Sequence, residues 1–132
     1  MSTLSVGYLA HSFDLLNVRD LDLVAQAGER CDELVAGVLA DDLVEQRYGR
    51  RPVVPVAERL ALVARVRGVS RAVEQTGAEV PAEVGAVTAF VVADEPSVLD
   101  GVDAVVLSPR RETASDVLRH ALRAAVSDEA VA

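Results

Sequence analysis

Apolar residues are laid out along this chain in two alternating patterns. Short continuous runs of Val, Leu and Ala at Thr3–Leu9, Glu33–Leu39, Ala72–Glu74, Val87–Val92 and Ala104–Leu107 predict strands apolar on both faces, as in a buried parallel sheet. Between them the spacing turns helical. From Val18 to Glu29 the residues Leu21, Val24, Ala25 and Gly28 form a stripe, with Asp22, Gln26 and Glu29 away from it. Asp41-Asp42 predicts the start of a short helix running to about Arg47. Pro55 suits the first turn of a helix whose inner face is Val56, Leu60, Val63 and the aliphatic stem of Arg67. Thr113, with Asp116 three residues on, opens a last helix with Leu118, Ala121, Leu122 and Ala125 inward. Tyr48–Pro55, holding Gly49, Pro52 and Pro55, reads as a loop, and Thr76–Gly85 as a loop with at most one helical turn.

Strands alternating with helices predict parallel βαβ units with right-handed crossovers. The expected fold is α/β, a Rossmann-like doubly wound parallel sheet of about five strands with helices on both faces. No linker or repeat divides residues 1–132, so a single domain is expected, its tail fraying from about Ser127. In such sheets ligands lie at the carboxyl ends of strands. That directs attention to His11–Asp20, Ala40–Asp42, Ala93–Pro96 and Ser108–Ser115.

Composition narrows the chemistry. Only 3% of residues are aromatic while 51% are hydrophobic, so the core must be built from small aliphatic side chains. A net charge of -8 argues against general nucleic-acid binding, which needs a basic surface. All 13 basic residues are arginine, which disfavours a Walker-type phosphate loop, Schiff-base chemistry and a phosphate-receiver domain with its usual lysine. Cys31 is the only cysteine, so no internal disulfide forms and a reducing cytoplasm is the expectation. With no apolar run near the ~20 residues of a membrane span, no membrane role is expected. Two distant histidines and one cysteine offer no zinc spacing.

The stretch Val6-Gly7-Tyr8-Leu9-Ala10-His11-Ser12-Phe13-Asp14-Leu15-Leu16-Asn17-Val18-Arg19-Asp20-Leu21 resembles the first motif of the cytidylyltransferase-like nucleotidyltransferases, of the glycerol-3-phosphate cytidylyltransferase type. There a strand ends in Gly-x-Phe-Asp, followed by two apolar residues and His-x-Gly-His. The likeness continues through Cys31–Val38, through Gly49–Arg59 at the family's basic loop and Glu-Arg helix start, and through Ser108–Ser115 at its Arg-Thr-x-Gly-x-Ser-Thr motif. The resemblance implies transfer of CMP or AMP from CTP or ATP, with Mg²⁺, to a phosphorylated small molecule. Paired imidazoles and backbone donors would hold the triphosphate and stabilise charge in the transition state.

The departures fall where phosphate would lie. His11 replaces the glycine of Gly-x-Phe-Asp, Asn17 the first histidine, Arg19 the glycine between the histidines, and Asp20 the second histidine. A carboxylate ~4 Å from a phosphate charge costs about 4 kcal/mol at an effective dielectric of ~20. Phe13, Asp14, Leu15, Leu16, Val18 and Leu21 keep the family's type, and most of these are packing positions. The pattern predicts a maintained scaffold with the standard transfer lost, acting through a homodimer or a heteromer with an intact paralogue or pathway enzyme. Two alternatives stand beside it: an active transferase with a rewired site, and a nucleotide or phosphometabolite sensor.

Candidate motif positions are His11, Asn17 and Asp20; candidate phosphate contacts are Ser12, Phe13, Asp14, Asn17, Arg19, Arg50, Arg51, Arg110, Arg111, Thr113 and Ser115. Each has a second reading. His11 is either a replacement donor or an exposed loop side chain, Asn17 a phosphate ligand or a helix cap, and Asp14 an orderer of its loop. Arg19 and Asp20 are expected to pair with each other or with a neighbouring subunit.

Overall fold

The computed structural model describes residues 5–85, 87–93, 95, 98–100 and 104–109. Five strands, β1 (Val6–His11), β2 (Glu33–Leu39), β3 (Arg71–Gln75), β4 (Thr88–Val92) and β5 (Ala104–Leu107), form one parallel sheet in the order β3-β2-β1-β4-β5. The chain winds outward from β1 to β3, then returns to β4 on the other side of β1. The order therefore reverses between β1 and β4, and a crevice opens there at the carboxyl end. The expected Rossmann-like architecture is present.

Alternate residues of the central strands feed two apolar layers. Leu9, Leu34, Ala36 and Phe90 pack with Leu23, Val24 and Ala27 of α1 (Val18–Gly28) and Val63 of α3 (Val56–Val63). Tyr8, Val35, Leu39 and Ala89 pack with Leu43 and Val44 of α2 (Asp41–Tyr48) and with Val98 and Leu99. With so few aromatics, close backbone approach does part of the packing. A Cβ on Gly37 would land on the Tyr8 ring, and one on Gly7 would lie 2.6 Å from the Cys31 Sγ.

Three expectations are corrected. The first strand runs on through Ala10 and His11, so His11 is a buried strand residue and not part of a loop. In α1 the buried set is Asp20, Leu23, Val24 and Ala27, whereas Leu21 is 43% exposed. That set has the same spacing as the expected Leu21, Val24, Ala25 and Gly28, moved by one residue. Hydropathy alone chose the wrong register because the inward stripe begins with a carboxylate. In α3 Val56, Leu60 and Val63 pack on the core as expected, but buried Arg59 joins them, and Arg67 lies exposed beyond the helix end. The predicted last helix from Thr113, the fraying tail, and Arg110, Arg111, Thr113 and Ser115 lie outside the described residues.

Candidate functional site

The loop leaving β1 turns sharply into α1, with Phe13 and Leu15 both at φ +53°, a region that non-glycine residues enter only when surroundings compel it. Several contacts supply that compulsion. The Phe13 ring is buried, edge-on to the His11 ring at a centroid distance of 5.0 Å. The Asp14 carboxylate accepts hydrogen bonds from Val53 N (2.9 Å) and Val54 N (3.0 Å), sewing this loop to the one before α3. Asn17 caps α1, its Oδ1 accepting from Arg19 N (2.9 Å) and Asp20 N (3.4 Å), while Asp20 Oδ2 accepts from Asn17 N (3.2 Å) in return.

Beneath the loop lies Arg59, wholly buried. Its Nη1 donates to Ser12 O (2.7 Å) and Leu39 O (2.6 Å), its Nε to Val54 O (2.8 Å) and its Nη2 to Asp41 Oδ1 (2.7 Å). Asp41 Oδ1 also accepts from Val56 N (3.1 Å). One guanidinium thus ties the end of β2 to the β1–α1 loop, the segment before α3 and the first turn of α2.

Above this knot a cavity of about 120 Å³ opens between β1, α1, α2 and the segment after β4. His11 and Asp20 form its floor, both buried, with His11 Nε2 3.0 Å from Asp20 Oδ1. Arg19 does not pair with Asp20, contrary to expectation. Its Nη1 reaches Glu95 Oε1 at 3.2 Å, because the inward turn of Asp20 leaves Arg19 facing the β4 side. Tyr48 closes another wall, its hydroxyl in contact with the side chains of Glu95 and Ser12; burial first, and then the Glu95 charge, push its pKa upward. At the mouth Arg50 Nη1 lies 3.7 Å from Asp14 Oδ2. Arg51 is drawn away, its Nη1 bonded to Asp42 (3.0 Å) and Glu45 (2.8 Å) on α2. Beyond the same loop, a shallower apolar hollow of about 590 Å³ is lined by Phe13, Leu15, Leu16, Val54 and Leu62, with Asn17 and Arg59 at its edges.

The structure therefore gathers His11, Ser12, Asp14, Asn17, Arg19, Asp20 and Arg50 into one site and leaves Arg51 outside it. Phe13 packs beneath as support. Sequence reasoning missed Arg59 and Tyr48 as parts of this architecture, and flagged Asp41 and Glu95 only within the carboxyl-end segments Ala40–Asp42 and Ala93–Pro96, without giving either a role. Glu95 carried a signal, since it stands in the segment following β4 at the carboxyl edge. Arg59 carries one in the Glu58-Arg59 pair at the start of its helix. Among the described residues no three acidic, histidine or cysteine side chains converge as a metal-ligand set. None of the described helices is long and apolar enough to cross a membrane.

Comparison with known proteins follows the same lines. A bifunctional protein HldE from Acidiphilium cryptum is 40% identical over 65 residues, which are 48% of this chain and 13% of that protein. An FAD synthase from Thermococcus sibiricus is 39% identical over 61 residues, 46% of this chain and 41% of that one. The chain thus spans less than half the length of either curated relative. The crystal structure of a lipopolysaccharide core biosynthesis protein from Thermoplasma volcanium superposes with a TM-score of 0.67 and 19% identity, covering 84% of this chain and 100% of the other; it shows the shared fold. The family described as cytidylyltransferase-like matches residues 9–121, nearly the whole length of the sheet and its crossovers. This chain belongs to the cytidylyltransferase-like family.

Proposed function

We propose that this protein keeps the family scaffold but has lost the standard CTP- or ATP-dependent nucleotidyl transfer, and that it acts by binding a protein partner, in a homodimer or beside an intact relative. The observation that carries the reading is the buried His11–Asp20 pair on the cavity floor. At motif positions where the family has a glycine and a histidine, an imidazole and a carboxylate bond to each other. Separating them to admit phosphate would leave the buried Asp20 carboxylate with Asn17 N as its remaining partner, a loss of about 1–3 kcal/mol before any repulsion by the incoming charge. The remaining space of about 120 Å³ is also small beside the ~300–1,000 Å³ of ordinary small-molecule sites. Each carboxylate in the cavity is engaged by an arginine, a histidine or backbone donors, so these residues fit no protein-held Mg²⁺. Around the neighbouring hollow, Leu15 and Leu62 are 44% and 52% exposed, which favours a contact surface.

Calorimetry with CTP and ATP plus Mg²⁺ tests the reading. The native protein is expected to bind neither, and to release no pyrophosphate when phosphorylated acceptors are added; micromolar binding with release overturns it. Restoring the motif through His11→Gly, Asn17→His, Arg19→Gly and Asp20→His should create nucleotide binding. That variant dismantles the capping box and is expected to lose about 1–2 kcal/mol of stability. A folded quadruple variant that binds neither nucleotide refutes the assigned site.

A further inference from the structure

The outward face of α3 carries opposite charges on either side of an apolar centre. Arg59 and Val63 turn inward, while Ala57, Glu58, Ala61, Leu62, Ala64 and Arg65 are exposed, Arg65 lying in the turn just past the helix. Glu58 precedes Leu62 by four residues and Arg65 follows it by three, so a carboxylate, an apolar side chain and a guanidinium stand in one row. Arg65 Nη1 donates to Ala61 O at 3.1 Å, which holds its guanidinium against the last turn of α3. Among the described residues neither Glu58 nor Arg65 has an ion-pair partner. The row is neutral on a chain of net charge -8. Leu62, 52% exposed, also lines the apolar hollow, whose opposite wall includes Leu15, itself exposed at φ +53°.

We propose that the protein's partner is a second copy of this chain, docked through α3 about a two-fold axis that passes between Ala61 and Leu62. The inference rests on the partner-binding reading above and names the partner and the surface. A two-fold contact presents the same patch twice, so that residue i meets j and j meets i. With two α3 helices antiparallel about that axis, Glu58 of each copy faces Arg65 of the other, and Leu62 of each lies over the small Ala61 of the other. Both ion pairs and the apolar contact form in one register. A parallel arrangement would set Glu58 against Glu58 and Arg65 against Arg65. An eight-residue helix spans about 12 Å and cannot alone supply the ~800 Å² per partner of a stable interface. The adjoining hollow, with exposed Leu15 and Leu62 on its walls, supplies the further apolar area.

Sedimentation velocity on the full chain, run across the micromolar range at low ionic strength, should show a reversible monomer–dimer equilibrium. Leu62→Asp puts a carboxylate at the centre of the contact and should weaken association about a hundredfold or more. Glu58→Arg alone, or Arg65→Glu alone, sets like charges opposite one another twice and should weaken it about tenfold. Mixing those two variants in equal amounts should restore association, because each then meets its opposite. The double exchange, Glu58→Arg with Arg65→Glu, should restore it as well. A variant that merely failed to fold could not be rescued in either way. A native chain that stays monomeric throughout overturns the proposal, and so does a dimer indifferent to Leu62→Asp. Single exchanges that neither mixing nor the double exchange repairs overturn it too. Pyrophosphate release from CTP with Mg²⁺ by the dimer would refute the loss of transfer while leaving this face standing, whereas monomers that release none refute the face alone.

Discussion

Arg59 and His11 are both buried polar side chains at the carboxyl edge of the sheet, yet their partners are of different kinds. Arg59 reaches mostly backbone: Ser12 O, Leu39 O and Val54 O, with Asp41 as its one charged contact. His11 reaches a single side chain, Asp20. Bonds to backbone carbonyls define where loops run, so they constrain the scaffold whatever ligand the loops serve. A bond between two side chains defines only what fills the space between them, and either partner can change with the chemistry. The knot around Arg59 therefore belongs to the fold, and the pair on the cavity floor belongs to the site. A protein can keep the first while rewriting the second.

The most damaging way to break this contrast is Arg59→Met. The variant strands three carbonyls and the Asp41 carboxylate, and about 3–5 kcal/mol of stability should be lost in urea or guanidinium unfolding. Such a loss is a large part of the ~5–15 kcal/mol that a domain of this kind holds in total. Arg59→Lys should recover little, since an ammonium cannot reproduce the planar fork. A fall below about 1 kcal/mol for Arg59→Met would mean that the loops hold themselves in place.

A milder effect is expected on the cavity floor. His11→Ala leaves Asp20 buried with only Asn17 N as partner, at about 1–3 kcal/mol. Removing both members should be less harmful than the sum of the single changes, because the double variant leaves no buried carboxylate or imidazole facing a missing partner, and the Asn17 N–H loses its acceptor in both Asp20 variants alike. A coupling of about 0.5–3 kcal/mol in a double-mutant cycle is the expected readout. Strict additivity would show that the two side chains are neighbours without being partners.

The same contrast explains what could be read from the chain in advance. The Val- and Leu-rich runs located the central strands β1, β2 and β4, because a strand buried on both faces leaves a nearly uninterrupted apolar signature, whereas the edge strands β3 and β5 showed only as short runs. The helix starts at Asn17 and Asp41 were equally visible, being short polar residues ahead of periodic ones. Hidden were the positions where a charged residue faces inward. Asp20 and Arg59 look like surface residues to any hydropathy argument, and both are buried because specific partners await them. For Arg59 two of the partners, Ser12 and Leu39, lie far along the chain, so nothing local announces them; for Asp20 they are near, His11 and Asn17, but neither is an apolar cue. Arg50 and Arg51 posed the converse difficulty. Adjacent and identical, they suggested one phosphate-gripping pair, yet only Arg50 faces the cavity.

That division of labour between two neighbouring arginines sets the smallest expected effect. Arg51 is exposed, and its ion pairs with Asp42 and Glu45 lie on the outer side of α2. Pairs of this kind are screened by salt and offset by the side-chain freedom they restrict. Arg51→Ala should therefore leave the melting midpoint unchanged. Arg50→Ala removes a looser contact, the 3.7 Å ion pair with Asp14, whose oxygens keep Val53 N and Val54 N, so its effect on the midpoint should be as small. If Arg51→Ala lowered the midpoint clearly while Arg50→Ala did not, the two ion pairs of Arg51 would be holding α2 in place and not merely decorating its outer side.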